Sequence, residues 1–429
     1  MRLKRVSVGQ LKNGMRFYSQ FDPNAHLGGI GVKAGSAHDP PRKRGLAHLT
    51  EHVVAGGSAK HDDRTMDLQY YEKYMGGPEA SANIRTDYVS TFYGHDSLLW
   101  RPHLTDCFDM LANLILHPQI RESRLLVEKA AVHNEYYLYG EDSLYERAYV
   151  RLNRVLYEKN PVRNRIDCEL PEFERLGASD VRAFMRRYYV PRNMFIVLFG
   201  PTFADVKKTA ERYFEDWGGL TAPILDYDHS DDVPRLTAIR SIEETVPGNG
   251  QTHVMLGFPT ETTATGNGAA LDILARIFAF RLRARLREEN RDFGKGVYRV
   301  LVFSEQTHLH GMLRVWFSTV SPAFAEVAEA LICEEARTLR ESLILSDELD
   351  AIRKNLEWQY RDAFKNGPGT LSEMVIASAS TGDEELKNLH SYIPRLHEVT
   401  RNSFRELAQK YLASFYARAV IRPEHSGTR

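Results

Sequence analysis

Gly45-Leu46-Ala47-His48-Leu49-Thr50-Glu51-His52-Val53-Val54 sets two histidines and a carboxylate within five residues, inside a run whose apolar positions have helical spacing. On a helix, side chains four apart stack on one face and those three apart lie beside them, so His48, Glu51 and His52 can point at one spot. An H-x-x-E-H arrangement arises by accident in roughly 5% of chains of this size and composition, so the segment needs support from elsewhere in the sequence.

A hydrolytic zinc site takes three protein ligands and keeps a fourth position open for water. His48 and His52 then require a third ligand, and Glu51 stays free as a base. A downstream helical segment, Val127-Glu128-Lys129-Ala130-Ala131-Val132-His133-Asn134-Glu135, offers candidates. Glu128 and Glu135 are two helical turns apart and share a face, whereas His133 points elsewhere. One of the two can ligate while the other orients a ligand histidine from behind, and the pattern alone leaves both assignments open.

The composition suits a packed soluble protein: 43% of the 429 residues are hydrophobic and 26% are charged. That length predicts two to three folding units. The formal net charge of −1 supplies no long-range pull on nucleic acid or an anionic membrane, and neither is expected as a partner. Cys107, Cys168 and Cys333 are far apart and form no C-x-x-C pair, which argues against a disulfide framework or a thiolate metal site. The basic opening residues lack a signal-peptide core, and no apolar run approaches the ~18 residues of a membrane span. Cytoplasm is the default expectation.

Strand patterns at Met15–Tyr18 and Gly29–Ser36 precede the histidine helix; Thr86–Tyr93 reads as a strand, and Asp106–Leu116 and Arg124–Leu138 read as helices. A helix at Asp180–Tyr188 followed by the strand Met194–Phe199 is echoed at the end of the chain by Arg401–Tyr411 and Arg418–Ile421. The echo suggests an internal duplication. Trp217-Gly218-Gly219 leads through an acidic run to Pro234 and reads as a linker. We therefore expect α+β architecture in two similar mixed domains: a metal-binding domain over 1–218, a linker over 219–245, and a second, metal-free domain over 246–429.

These segments together resemble the insulinase/pitrilysin family of zinc peptidases, the inverzincins, and especially half-length members similar to mitochondrial processing peptidase. Ala34-Gly35-Ser36 with Gly45–His52 resembles the family's strand, loop and metal helix. Leu114-Ile115-Leu116-His117-Pro118, followed by Glu128 and Glu135, resembles its second helix pair. Tyr188–Met194 and Glu211–Trp217 resemble the close of the first domain, and Gln251–Phe258 resembles the first strand of the second.

The resemblance implies that His48, His52 and Glu135 bind Zn2+, that Glu51 activates water, and that Glu128 supports the site. Counting from His52 would favour Glu128 as the ligand; the register of the surrounding helix favours Glu135. The resemblance further implies that Arg287 and Tyr298 contact the substrate or transition state. The family asparagine that holds the substrate backbone on an edge strand matches Ala80, counted from Gly76-Gly77, or Ser81, counted back from Asp87. Either way the amide contact would be missing, although main-chain pairing would survive.

In the family, two such domains form half of a clamshell chamber, which implies a homodimer or a heterodimer with a sister subunit acting on peptides or unfolded segments. The function implied is a zinc-dependent metalloendopeptidase. The alternatives are a catalytic subunit that needs a degenerate sister and a non-catalytic structural subunit. Structural members typically lose the glutamate or a histidine of the motif; this chain has all three.

Overall fold

A computed structural model describes residues 5–23, 27–60, 82–95, 104–141, 143–219, 233–289 and 297–425. The backbone divides into two compact units, each built on one sheet.

The first sheet contains β1 (Ser7–Gln10), β2 (Arg16–Phe21), β3 (Leu27–Val32), β4 (Ala82–Thr86), β5 (Thr91–His95) and β6 (Met194–Gly200), in the order β1-β2-β6-β3-β5-β4. Among its helices are α1 (Leu46–Ala55), α2 (Leu104–Leu116), α3 (Glu122–Glu135) and, after α4 (Leu144–Leu156) of the second unit, α5 (Ala178–Tyr188). Central strand β6 is buried at every position, as a run of Met, Phe, Ile, Val and Leu requires. Ile30, Val32, Ile196 and Leu198 from the sheet form one core with Leu49 and Val53 of α1 and with Phe108 and Leu111 of α2. Burying that face of α1 turns its opposite, polar face towards α3 and β4.

The second sheet runs β7-β11-β8-β10-β9, from β7 (Arg240–Asn249), β8 (Thr252–Thr260), β9 (Val297–Gln306), β10 (Gly311–Thr319) and β11 (Ala417–His425). β2 pairs in parallel with β6 in the first sheet as β7 does with β11 in the second, and the remaining neighbours in both sheets are antiparallel. The order β2-β6-β3-β5-β4 is thus repeated strand for strand, and the duplication suggested by the sequence is present in the topology. Val254, Leu256, Phe258, Val315 and Phe317 pack there against Leu274 and Phe278 from the helix Gly268–Arg283 and Ile332 from the helix Pro322–Glu341.

Several expectations change. Thr86–Tyr93 is a hairpin corner rather than one strand: the Asp87 carboxylate accepts from the amides of Val89 and Ser90 and from the Ser90 hydroxyl, which closes a turn between β4 and β5. α3 ends as an α-helix at Glu135, and Tyr136–Glu141 continues as a π-helical turn.

The unit boundaries also differ from 1–218 and 246–429. Tyr137–Asn164 belongs to the second unit and Arg361–His390 to the first. α4 covers β7, β8 and β11, with Arg151 Nε pairing with Glu244 Oε2 at 2.8 Å. Glu384 is held in the first unit by Lys33 at 2.6 Å and Arg16 at 2.7 Å. Helical periodicity shows that such a segment folds but not which sheet it will cover. Residues 240–245, expected in the linker, are in β7. No helix among the described residues is long and apolar enough to cross a membrane.

Candidate metal centre

α1 begins at a sharp turn that fixes where its histidines point. Gly45 has φ 92°, a left-handed conformation that L side chains avoid. The buried Asp39 carboxylate accepts from Gly45 N and Ala47 N, each at 2.7 Å, and so satisfies donors that the first helical turn leaves open. The loop before it is tied to the hairpin corner: Ser36 N donates to Asp87 O and Ala37 N to Tyr88 O.

His48 and His52 follow one turn apart, their rings in an edge-on arrangement with centroids 4.7 Å apart. Their Nε2 atoms face the same carboxylate: His48 Nε2 lies 3.4 Å from Glu135 Oε2, and His52 Nε2 lies 3.6 Å from Glu135 Oε1. Both separations exceed the 2.7–3.2 Å of a good N–H···O bond. They match the roughly 3.3–3.4 Å between neighbouring donors on a tetrahedral ion with bonds of about 2.0–2.1 Å. One donor atom from each of the three residues falls within 4.8 Å of the other two, and this is the one such His/Cys/Asp/Glu group among the described residues. The donor set of two imidazoles and a carboxylate suits zinc.

The electrostatics of the group call for a cation. Burial works against a charged His52, yet its contacts with Glu128 and Glu135 outweigh burial and raise its pKa to about 10. Glu135 is shifted down, chiefly by His52 and against partial burial. Glu128 does not join the three donors. It sits behind them, its Oε2 3.1 Å from His52 Nδ1 and its side chain 9% exposed, compared with 37% for Glu135. His133 is not part of the group.

Glu51 is buried beside the donors, with Oε2 3.8 Å from His48 Nε2. Burial raises its pKa, against the lowering effect of the two histidines and the Thr86 hydroxyl. Thr86, the last residue of β4, donates to Glu51 Oε2 at 3.2 Å and approaches the Thr91 hydroxyl at 3.4 Å. The buried hydroxyls of Tyr93 and Tyr189 hydrogen-bond each other at 2.7 Å, and both rings titrate above the ordinary tyrosine value because burial disfavours their charged form.

Sequence reasoning did not single out Thr86, Arg124 or Asp39. A threonine in a β-branched run, an arginine on a charged helix face and an aspartate in a loop carry no local mark of the contacts they make here. Ala80 and Ser81 lie outside the described residues. The edge strand itself starts at Ala82, and its second residue is Asn83, opposite Gly94 of β5. An asparagine therefore does stand on this edge, a few residues beyond the positions expected from counting. Arg287 falls in the π-helical turn Ala284–Glu289 and Tyr298 in β9, both in the second unit, and their side chains lie outside the described residues.

Comparison with known proteins agrees with this architecture. Residues 18–169 match the family described as Insulinase (Peptidase family M16), and residues 175–356 match the Peptidase M16 inactive domain. The chain is 22% identical over 422 residues to an uncharacterized zinc protease, YmxG, of Bacillus subtilis, covering 96% of this chain and 97% of that one. It is 28% identical over 205 residues to the chloroplastic stromal processing peptidase of Arabidopsis thaliana, covering 46% of this chain and 15% of that protein. A protease from Helicobacter pylori shares the fold, with a TM-score of 0.87 and 17% identity over 98% of this chain and 100% of that one. With these matches spanning both sheets and the histidine helix, the chain belongs to the insulinase family of peptidases, family M16.

Proposed function

We propose that the protein is a zinc-dependent endopeptidase that cleaves peptides or unfolded segments, with His48, His52 and Glu135 as ligands and Glu51 as the base. The observation that carries this reading is the convergence of both Nε2 atoms on the Glu135 carboxylate, with the buried Glu51 carboxylate beside them. A zinc ion held there would polarise the scissile carbonyl and lower the pKa of water.

The chain's own residues do the rest. Glu51 takes the proton of the attacking water and returns it to the leaving amine. Its burial favours the protonated form that this return requires, and the Thr86 hydroxyl fixes which oxygen faces the reaction. Glu128 holds His52 by Nδ1, so that Nε2 presents its lone pair. β4, the edge of its sheet, runs past Glu51 and offers main-chain groups for an extended substrate to pair with by strand addition. Arg287 and Tyr298 belong to the proposal as contacts to the developing oxyanion.

A relative named as a subunit, the mitochondrial-processing peptidase subunit alpha of Bos taurus, 24% identical over 230 residues that cover 52% of this chain and 42% of that one, supports a further proposal, that this chain acts with a second copy or a sister subunit. The test is cleavage of a quenched fluorescent, unstructured peptide by the purified chain, alone and mixed with a sister subunit, before and after zinc is stripped and restored. Activity lost on stripping and regained with zinc is expected; cleavage that survives complete removal of zinc would overturn the reading.

A further inference from the structure

The carboxylate that holds His52 is itself held. Glu128 Oε2 faces His52 Nδ1 at 3.1 Å, and its other oxygen, Oε1, forms an ion pair with Arg124 Nε at 2.7 Å, one turn earlier on α3. The Arg124 guanidinium lies over Gly56, the residue that ends α1 and whose N–H donates to His52 O at 3.0 Å. A Cβ added at Gly56 would stand 2.5 Å from Arg124 Nε and 2.9 Å from Nη2. Gly56 has φ −73° and ψ −4°, a conformation open to any residue. What the position demands is the space, not glycine's backbone freedom.

Resting on the metal reading above, we propose that Arg124 is a positioning residue of the metal centre, acting through Glu128 on His52, and that Gly56 is the clearance its guanidinium needs. Two physical arguments support the role. A carboxylate held by a guanidinium stays an acceptor, which keeps the proton of a neutral His52 on Nδ1 and leaves Nε2 free to ligate. The ion pair also compensates charge locally, because Arg124 sets a guanidinium against the second oxygen of the buried Glu128. Without it, a 7%-exposed Glu128 would face a neutral imidazole as an uncompensated buried charge.

The test is the zinc affinity of the full chain, measured by competition with a chromogenic chelator for wild type, Arg124→Gln, Arg124→Lys, Gly56→Ala, Glu128→Gln and the Arg124→Gln/Glu128→Gln double variant. Circular dichroism of each metal-free form checks the fold. Arg124→Gln should bind zinc about 10-fold more weakly, as loss of outer-shell support typically does. Gly56→Ala should weaken binding in the same direction by displacing the guanidinium, and it supplies the readout if Arg124→Gln does not fold. Arg124→Lys should recover part of the loss, and Arg124→Gln should cost nothing further once Glu128 is Gln. Wild-type affinity in a folded Arg124→Gln variant, or losses from Arg124→Gln and Glu128→Gln that multiply, would overturn this inference alone. A wild-type chain without zinc affinity would overturn the metal reading and this inference with it.

Discussion

His52 meets Glu128 through the ring nitrogen that faces away from the donor group: Nδ1 lies 3.1 Å from Glu128 Oε2, while Nε2 faces Glu135 Oε1 at 3.6 Å. The two glutamates of α3 are therefore not equivalent, although they share a helical face. Replacing each by Gln should separate them. Glu135→Gln removes a charged donor and should strip zinc almost completely, whereas Glu128→Gln should weaken binding by about 10- to 100-fold. Metal analysis after dialysis against graded chelator distinguishes the two, and the opposite ranking would exchange their roles.

Thr86 should affect turnover rather than metal content. Its hydroxyl donates to Glu51 Oε2, so Thr86→Val leaves the three donors intact and frees the base to rotate. We expect kcat to fall about 10-fold with zinc stoichiometry unchanged, and Thr86→Ser to restore most of it. Steady-state kinetics beside a metal assay reads both. Loss of zinc in the Val variant would show instead that Thr86 supports the fold of the site.

Asp39 should set the stability of the unit that carries the site. Its carboxylate accepts the amides of Gly45 and Ala47 in a buried turn, so Asp39→Ala strands two donors at the start of α1. A loss of about 2 kcal/mol follows from the usual magnitude for removing such a cap, read as a lower midpoint in urea. An unchanged midpoint would mean that water reaches those amides.

Acid should destabilise the second unit through its buried histidines. His310, 3% exposed and stacked on Tyr157, has a pKa lowered to about 4 by burial and by the neighbouring His308; burial lowers His253 to about 4 as well. Both folded values lie below the roughly 6.5 of an unfolded histidine, so the folded state favours the neutral ring. The stability tied to that preference is fully present above pH 6.5 and is lost as pH falls towards 4. For His310 it amounts to about 3 kcal/mol. His310→Phe, which keeps the stack, should flatten the fall in thermal midpoint over that window; an equally steep fall in the variant would assign the acid sensitivity elsewhere.

The sequence was most informative where chemistry is local. His48, Glu51 and His52 lie on one turn of a helix, so their periodicity alone brings them together, and the spacing of Glu128 and Glu135 similarly predicts a shared face. What it could not show were contacts between segments far apart in the chain. Thr86 meets Glu51 from a hairpin corner that is hydrogen-bonded to the loop before α1, and Arg124 lies in space that a Cβ at Gly56 would fill. The unit boundaries differ for the same reason, since α4 covers a sheet whose strands lie far along the chain, Arg147 and Arg151 pairing there with Glu244, nearly one hundred residues away. Counting from the glycine pair and back from Asp87 points to Ala80 or Ser81, outside the described residues; that Asn83 stands on the edge strand opposite Gly94 emerges only from the strand pairing.

The central claim is that Glu51 is the base of a zinc peptidase, and one variant tests it most directly. Glu51→Gln keeps the size and packing of the buried side chain, 3.8 Å from His48 Nε2 in the native protein, and removes its ability to take a proton. Zinc content and cleavage of an unstructured peptide should be measured on the same preparation. The account predicts zinc bound as in the wild type and cleavage reduced at least ~1,000-fold. Cleavage at the wild-type rate with zinc in place would contradict it.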